Sequence, residues 1–310
     1  GAVLFYELDE QGEGTFVKAV EVGALPDMVT FTHDGAKLLV ANEGEPSSDY
    51  SVDPEGSISV ITIENRIVAD TANQINFTDD LVFSSDVLEQ TDYDTPQKRM
   101  KLLSDEGVKF AGPAGNTAAR DLEPEYITVA ENNKMAFVSL QENNAIGVID
   151  LEAMTVEVKP LGYKDWGKYE LDFTNKDEIA KFQSVAGLKG MYQPDSIASY
   201  SWDGATFIVS ANEGDARDYN GYSEEVRVKD IVDPDELNQT LSTEIQSIYD
   251  ESGDKNGLGR LKVTTAMGDA EEDGEYETLY AYGARSFSIW DQNVNLVYDS
   301  GDDFGKISSA

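Results

Sequence analysis

The sequence predicts an all-β protein, a β-propeller of four-stranded blades, on three observations. A hairpin pattern occurs three times, one copy continues through four strands without interruption, and the same polar tetrapeptide closes two of the copies. The prediction is a ring of roughly seven blades in the intact protein, about four to five of them in this chain.

The first copy reads Pro26-Asp27-Met28-Val29-Thr30-Phe31, a turn at Asp34-Gly35, then Lys37-Leu38-Leu39-Val40-Ala41-Asn42-Glu43-Gly44. The second runs from Pro124 to Val129, turns at Asn132-Asn133, and continues from Met135 to Asn143. The third runs from Pro194 to Ser199, turns at Asp203-Gly204, and continues from Thr206 to Gly214. Two apolar, β-branched runs around an Asp-Gly or Asn-Asn turn specify a β-hairpin. The second copy extends through Ala145–Leu151 and Thr155–Lys159, a blade-sized run of four strands.

A further unit is expected near the end from strands at 278–282, 286–290 and 294–298, with an inner strand at 261–265. At the other terminus, Val3–Leu8 and Phe16–Val22 read as two outer strands, which strands beyond Ala310 would complete. Gly1-Ala2 leads straight into strand, so the start reads as a processed or trimmed end. The chain is thus one domain over 1–310, an incomplete ring with insertions at about 70–120, 162–191 and 215–256. Helix is expected within 80–103, briefly at 177–182, and starting at 233–237. A β-sandwich would supply similar strands but not repeated hairpins ending in one tetrapeptide.

Sixty acidic against 23 basic residues give a net charge of -37. That field repels phosphate backbones, so nucleic acid is excluded as a partner, and it suits a marine or saline exterior. Forty per cent apolar residues suffice for a core. There are no cysteines, which removes disulfides and thiolate chemistry, and the single histidine, His33, reads as an exposed turn residue. No apolar run reaches the ~18 residues of a membrane-spanning helix, so membrane insertion is not expected.

Ala41-Asn42-Glu43-Gly44 and Ala211-Asn212-Glu213-Gly214 occupy the same place in their units, with Gln141-Glu142-Asn143 between them. Each blade is expected to aim an amide and a carboxylate at the channel, with glycine allowing the sharp turn. Asp49 and Asp53 follow the first copy, Asp215 and Asp218 the third, each set with an Asp-Tyr pair. Acids also open the first strands: Asp27, Glu123 and Glu125 beside Asp121, and Asp195. Clustered carboxylates and amide oxygens are what calcium needs, since it takes six to eight hard oxygen ligands. The candidate ligands are Asn42, Glu43, Asp49, Asp53, Glu123, Glu125, Glu142, Asp195, Asn212, Glu213, Asp215 and Asp218. The competing reading is an acidic surface with no ion. Arg285, with Gln141, is the candidate for holding an anionic group, and Arg285 could equally neutralise carboxylates. Tyr126, Phe137, Phe207, Tyr280, Phe287 and Trp290 read as inter-blade core.

The run Leu39–Pro46 with Asp53–Ile58, then Leu122–Ile127, Gln141–Ala145, Gly190–Asp195 and Arg285–Asp291, resembles the bacterial choice-of-anchor I proteins, a family that includes mesenchyme-specific cell-surface glycoproteins of animals. The resemblance implies an extracellular or surface-attached propeller, sometimes labelled alkaline phosphatase-like or grouped near phytase-like propellers. The sequence departs from the pattern in its 70–120 insertion and in stopping at Ala310.

The leading functional expectation is therefore an extracellular calcium-binding module that binds a cell-surface ligand or serves a structural role. The alternatives are a calcium-dependent phosphoesterase acting on a phosphoester, in which Arg285 holds the phosphate, and a self-assembling surface or filament protein.

Overall fold

In the strand Lys37–Asn42, every residue after Lys37 is buried, a pattern that a sheet with one wet face does not give. The computed structural model describes residues 1–82, 88–174, 176 and 179–309, with the side chains of 80 and 81 excepted. In it, Leu39 and Ala41 enter a core shared with the next sheet, while Leu38 and Val40 enter another beneath the N-terminal hairpin. The strand Met135–Leu140 divides likewise, Ala136, Val138 and Leu140 to one side and Phe137 to the other. Sheets covered on both faces by neighbouring sheets make a propeller-like stack, and period-2 alternation is what serves two cores at once.

Three sheets are antiparallel meanders. The first comprises Pro26–Phe31, Lys37–Asn42 and Ser57–Glu64, with an outer edge split between Ile67–Val68 and Asn73–Asn76. The second is Pro124–Val129, Met135–Leu140, Ala145–Asp150 and Thr155–Pro160. The third is Ile197–Trp202, Ala205–Asn212, Ser286–Asp291 and Leu296–Asp299. The two-residue turn Asp203-Gly204 has φ of 50° and 80°, the left-handed pair that a tight hairpin requires.

The meanders stand side by side on their first strands. Thr128 Oγ1 and Ser199 Oγ lie 2.9 Å apart, and Ser199 Oγ donates to the Val129 carbonyl oxygen at 2.9 Å. His33 is an exposed turn residue, as expected, and reaches the second meander: its Nε2 lies 3.0 Å from the Val129 carbonyl oxygen. The N-terminal hairpin pairs Ala2–Leu8 with Gly14–Glu21.

The expected separate unit at the C-terminal end does not form. Ser286–Asp291 pairs with Ala205–Asn212, so the third hairpin and the terminal strands are one meander, split by everything between 213 and 285. Three strands from that stretch join two that precede the third meander in a five-stranded mixed sheet, in the order Tyr163–Asp165, Leu188–Met191, Leu279–Ala281, Lys262–Thr264, Glu225–Arg227. The 162–191 and 215–256 insertions therefore contribute strands. These segments of three or four residues are too short to carry a readable alternation. Lys164, fully buried, ties this sheet to the third meander by donating to the Ala284 and Gly301 carbonyl oxygens at 2.8 and 2.6 Å and pairing with Asp299 at 2.8 Å.

Helix is found at Pro96–Glu106, overlapping the end of the expected 80–103 region and running past it, with Thr95 as N-cap and Gly107 as a left-handed stop. The start expected at 233–237 is instead the turn after the helix Val228–Val232, because Pro234 keeps Asp233 extended at φ -71°, ψ 122°. Of the brief helix expected at 177–182, residues 177 and 178 lie outside the described residues, and 179–182 are not helical. Phe137 and Trp290 are core, while Tyr126 lies at an exposed position on its strand.

Asn42 and Asn212 serve the fold in the same way. Asn42 Nδ2 donates to Ser59 Oγ at 2.8 Å and to Ser57 Oγ at 3.2 Å; Asn212 Nδ2 donates to Ser288 Oγ at 2.7 Å and to Ser286 Oγ at 3.0 Å. Each buried amide pins the second strand of its meander to the third, so these side chains turn into their own sheets. Asn42→Ala and Asn212→Ala each take the amide donor away from two buried hydroxyls and are expected to lower stability by about 1–3 kcal/mol, read as a fall in the urea midpoint at unchanged slope.

Candidate functional site

The three hairpins deliver their ends to one region. Gly44 and Gly214 follow their strands with φ of 72° and 92°. A Cβ on Gly214 would lie 2.0 Å from the Gly283 nitrogen, so only glycine fits there. The loops beyond these glycines then meet. Gly221 N donates to the Ser48 carbonyl oxygen at 3.0 Å, and the Tyr50 and Tyr219 rings pack edge-to-face at 5.6 Å. The two Asp-Tyr pairs thus mark one loop-loop junction.

Arg217 stands at the centre with no exposure. Its Nη2 donates to the Asp121 carbonyl oxygen at 2.7 Å, and its Nη1 donates to Tyr50 Oη at 3.0 Å and lies 3.1 Å from Glu123 Oε1. Its backbone N–H donates to Glu224 Oε1 at 3.1 Å, and Glu224 pairs with fully buried Lys109 and accepts from Thr264 Oγ1. Asp121 is satisfied separately by the Ala111 and Gly112 amides and by Asn143 Nδ2.

Around this guanidinium lie more carboxylates than it neutralises. Glu123 and Glu142 are buried, Glu43 and Glu125 half-buried, and Asp27 and Asp195 stand at the exposed edge. Both carboxylate oxygens of Glu123, and Oε2 of Glu142, are buried without a hydrogen-bond donor. Such atoms are expensive unless a proton or cation reaches them. Burial pushes Glu43 up to about 7, with Glu45, Glu142 and Asp27 adding to the effect and Arg217 opposing it. Burial and then the Glu142 charge push Glu125 up to about 12. Glu123 and Glu142 are raised by burial against the pull of Arg217. The cluster therefore attracts positive charge, and its donors, hard oxygens with unused lone pairs, fit a cation such as calcium in kind. Glu43, Glu123, Glu125 and Glu142 are the residues able to hold one.

Among the described residues, three ligand atoms come within 4.8 Å of one another only in Asp269, Asp273 and Glu277, outside this cluster. That group caps its own loop: Asp269 accepts from the Asp273 and Gly274 amides, and Glu277 from the Ala270 amide.

The other sequence candidates separate from the cluster. Asp49 is consumed by its own turn, accepting from Ser47 Oγ, Ser51 Oγ and Ser51 N, bonds that hold it at about 2. Asp53 is half-buried with an unpartnered Oδ1, and burial raises it. Glu213, Asp215 and Asp218 are exposed, and Asn42 and Asn212 point into their sheets. Of the expected ring of amide-carboxylate tips, the carboxylates of Glu43 and Glu142 come into the cluster, Glu213 stays apart, and the amides of Asn42, Asn143 and Asn212 turn into the fold.

Gln141, with its amide nitrogen turned inward, donates to Glu125 Oε2 at 3.0 Å and so belongs to the acidic cluster. Arg285 lies elsewhere and donates to the Asp172 carbonyl oxygen at 2.6 Å, so these two candidates do not share a site. Arg217 itself was not singled out from the sequence; the signal available was a lone cation in the run Asp215-Ala216-Arg217-Asp218.

The protein-family model of the choice-of-anchor I domain matches residues 1–310. The mesenchyme-specific cell surface glycoprotein of Strongylocentrotus purpuratus is 29% identical over 217 residues, covering 63% of this chain and 27% of that protein's length. Among solved structures, a putative 6-phosphogluconolactonase from Bacteroides fragilis aligns at TM-score 0.34 and 14% identity, over 97% of this chain and 63% of its own. The periplasmic gluconolactonase of Pseudomonas aeruginosa aligns at 0.25 and 16%, over 73% and 72%. Hydrazine synthase of Kuenenia stuttgartiensis aligns at 0.29 and 11%, over 89% and 49%. At these scores none of the three bears on activity.

The raised carboxyls set a pH dependence. A carboxyl whose folded pKa lies above its unfolded value binds its proton more tightly when folded, so the stability it contributes is present below the unfolded value and is lost as pH rises through the folded one. For Glu43 that window runs from 4.5 to about 7. In chelator, thermal stability is expected to fall across this window, and Glu43→Gln is expected to flatten the fall. Asp49 acts with the opposite sign and below this window, between 3.8 and about 2.

Proposed function

The chain belongs to the choice-of-anchor I family, and from that premise we propose that it is an extracellular or cell-surface module whose buried carboxylates hold a calcium ion. One observation carries the reading: Glu123 Oε2 and Glu142 Oε2 are buried without a donor, and Glu123 Oε1 has only the Arg217 charge beside it, next to Glu43 and Glu125. One guanidinium leaves four such groups with an excess of negative charge, which a hard divalent cation would reduce. The surface location rests on the family and on the name of the sea-urchin relative, and no helix among the described residues is long and apolar enough to cross a membrane.

A ring of further blades is part of the same proposal. Tyr200, Trp202 and Val297 are exposed on the third meander, as on a face that another sheet covers. A phosphoesterase would need its metal and its phosphate-binding arginine on one reacting group. Arg285 instead lines a cavity whose walls include none of the four clustered glutamates, so the binding reading leads.

Calcium is expected to raise the melting temperature of EDTA-treated protein, with stabilisation of about 2.7 kcal/mol at a hundred times Kd. Magnesium, which demands a small octahedral shell, should do less. Glu125→Gln/Glu142→Gln leaves the Arg217–Glu123 pair in place and should be indifferent to calcium, yet at least as stable as the parent in chelator. Equal melting curves of the parent protein in EDTA and in calcium would reject the reading.

A further inference from the structure

On a chain with 60 acidic and 23 basic residues, a place where cations outnumber acids is the exception. The chain has seven arginines, and three of them, Arg227, Arg260 and Arg285, line one cavity of about 420 Å³ together with Lys262. Two carboxylates share the lining, Asp215 and Glu225, leaving a formal excess of positive charge. Glu225 is already engaged, pairing with Lys262 at 2.5 Å, and Asp215 Oδ1 accepts from the Ala216 amide at 2.7 Å. Among the described residues, the arginines with a carboxylate oxygen within 4.0 Å are Arg99 and Arg217. The three cavity arginines thus form no close ion pair, although the charge of Asp172 acts on Arg285.

Two of them are nevertheless held in place. Arg227 Nη1 donates to the Arg260 carbonyl oxygen at 2.6 Å, and Arg285 Nη1 to the Asp172 carbonyl oxygen at 2.6 Å. Each guanidinium carries five N–H donors, so one anchoring bond fixes the fork and leaves the other donors for a ligand. Trp166, Phe173 and Tyr282 add aromatic wall, and the volume lies in the range of small-molecule sites. The chain's overall negative charge is screened beyond about 8 Å at physiological ionic strength, so contact inside the cavity decides what binds.

We propose that this cavity binds a small organic oxyanion, with Arg227, Arg260 and Arg285 as the groups that recognise it. The bidentate fork of arginine matches phosphate, sulfate and carboxylate alike. The site is independent of the calcium reading, because it uses none of the clustered glutamates.

The test is calorimetric titration of the full chain, in EDTA and at constant ionic strength, with inorganic phosphate, sulfate and glucuronate in separate arms and glucose as the uncharged control. Saturable binding in at least one anion arm and none of glucose is expected. Tighter binding of phosphate or sulfate identifies a tetrahedral oxyanion, and tighter binding of glucuronate identifies a sugar acid. Arg260→Gln and Arg285→Gln should each weaken binding at least tenfold, about 1.4 kcal/mol, while Arg66→Gln, outside the cavity, changes nothing. Absence of binding in every anion arm overturns the proposal whatever the variants do, and so does unchanged affinity in folded Arg260→Gln and Arg285→Gln. The calcium shift in melting temperature should persist in Arg285→Gln, so the two readings fail separately.

Discussion

The fully buried guanidinium of Arg217 is the contact on which the arrangement around the meanders depends. It is contributed by the loop that splits the third meander, reaches Tyr50 in the loop of the first, and holds Asp121 and Glu123 at the entry to the second. Removing such a charge from water is costly, and here acceptors meet both terminal nitrogens while Nε has none. The loops are therefore registered against one another by the need to satisfy it. The same economy explains the neighbouring Lys109–Glu224 pair, which fastens the 107–121 segment to the mixed sheet side through Thr264.

Satisfying Arg217 leaves the surrounding acids in excess. Glu123 faces the guanidinium, but its oxygens find no hydrogen-bond donor of suitable geometry, and Glu125 and Glu142 meet each other. A buried group of this kind is settled by protons or by a cation, and the two compete for the same oxygens. Directly behind it, Gln193, fully buried at φ 42°, links the Glu142 and Asp215 carbonyl oxygens and the Gly283 amide. Asp215 and Gly283 line the arginine cavity. An acidic centre and a basic pocket are thus set back to back across one glutamine, a division of charge that the net value of -37 conceals.

Much of the fold was legible because the three hairpins carry strong local signals: alternating or continuous apolar runs and turn pairs that accept left-handed angles. The positions of Gly44 and Gly214 were readable for the same reason. The fate of Ser286–Asp291 was not, since its partner strand ends 74 residues earlier at Asn212 and pairing over that distance leaves no local trace. At the site, Glu43, Glu123, Glu125 and Glu142 stand at the repeated positions, whereas Asn42 and Asn212 spend their amide nitrogens on the adjoining strand. An amide after an apolar strand reads the same whether it faces a channel or the serines of the adjoining strand. Arg217 was missed because a single cation amid acids looks like a surface residue until burial is known.

The central claim is that protons and calcium compete for the buried glutamates around Arg217, and proton release on calcium binding measures it most directly. Calorimetric titration near neutral pH, in buffers of differing ionisation enthalpy, should return on the order of one proton released per calcium bound, with release vanishing in Glu125→Gln/Glu142→Gln. Calcium binding without proton release, or with the same release in that variant, would contradict the account.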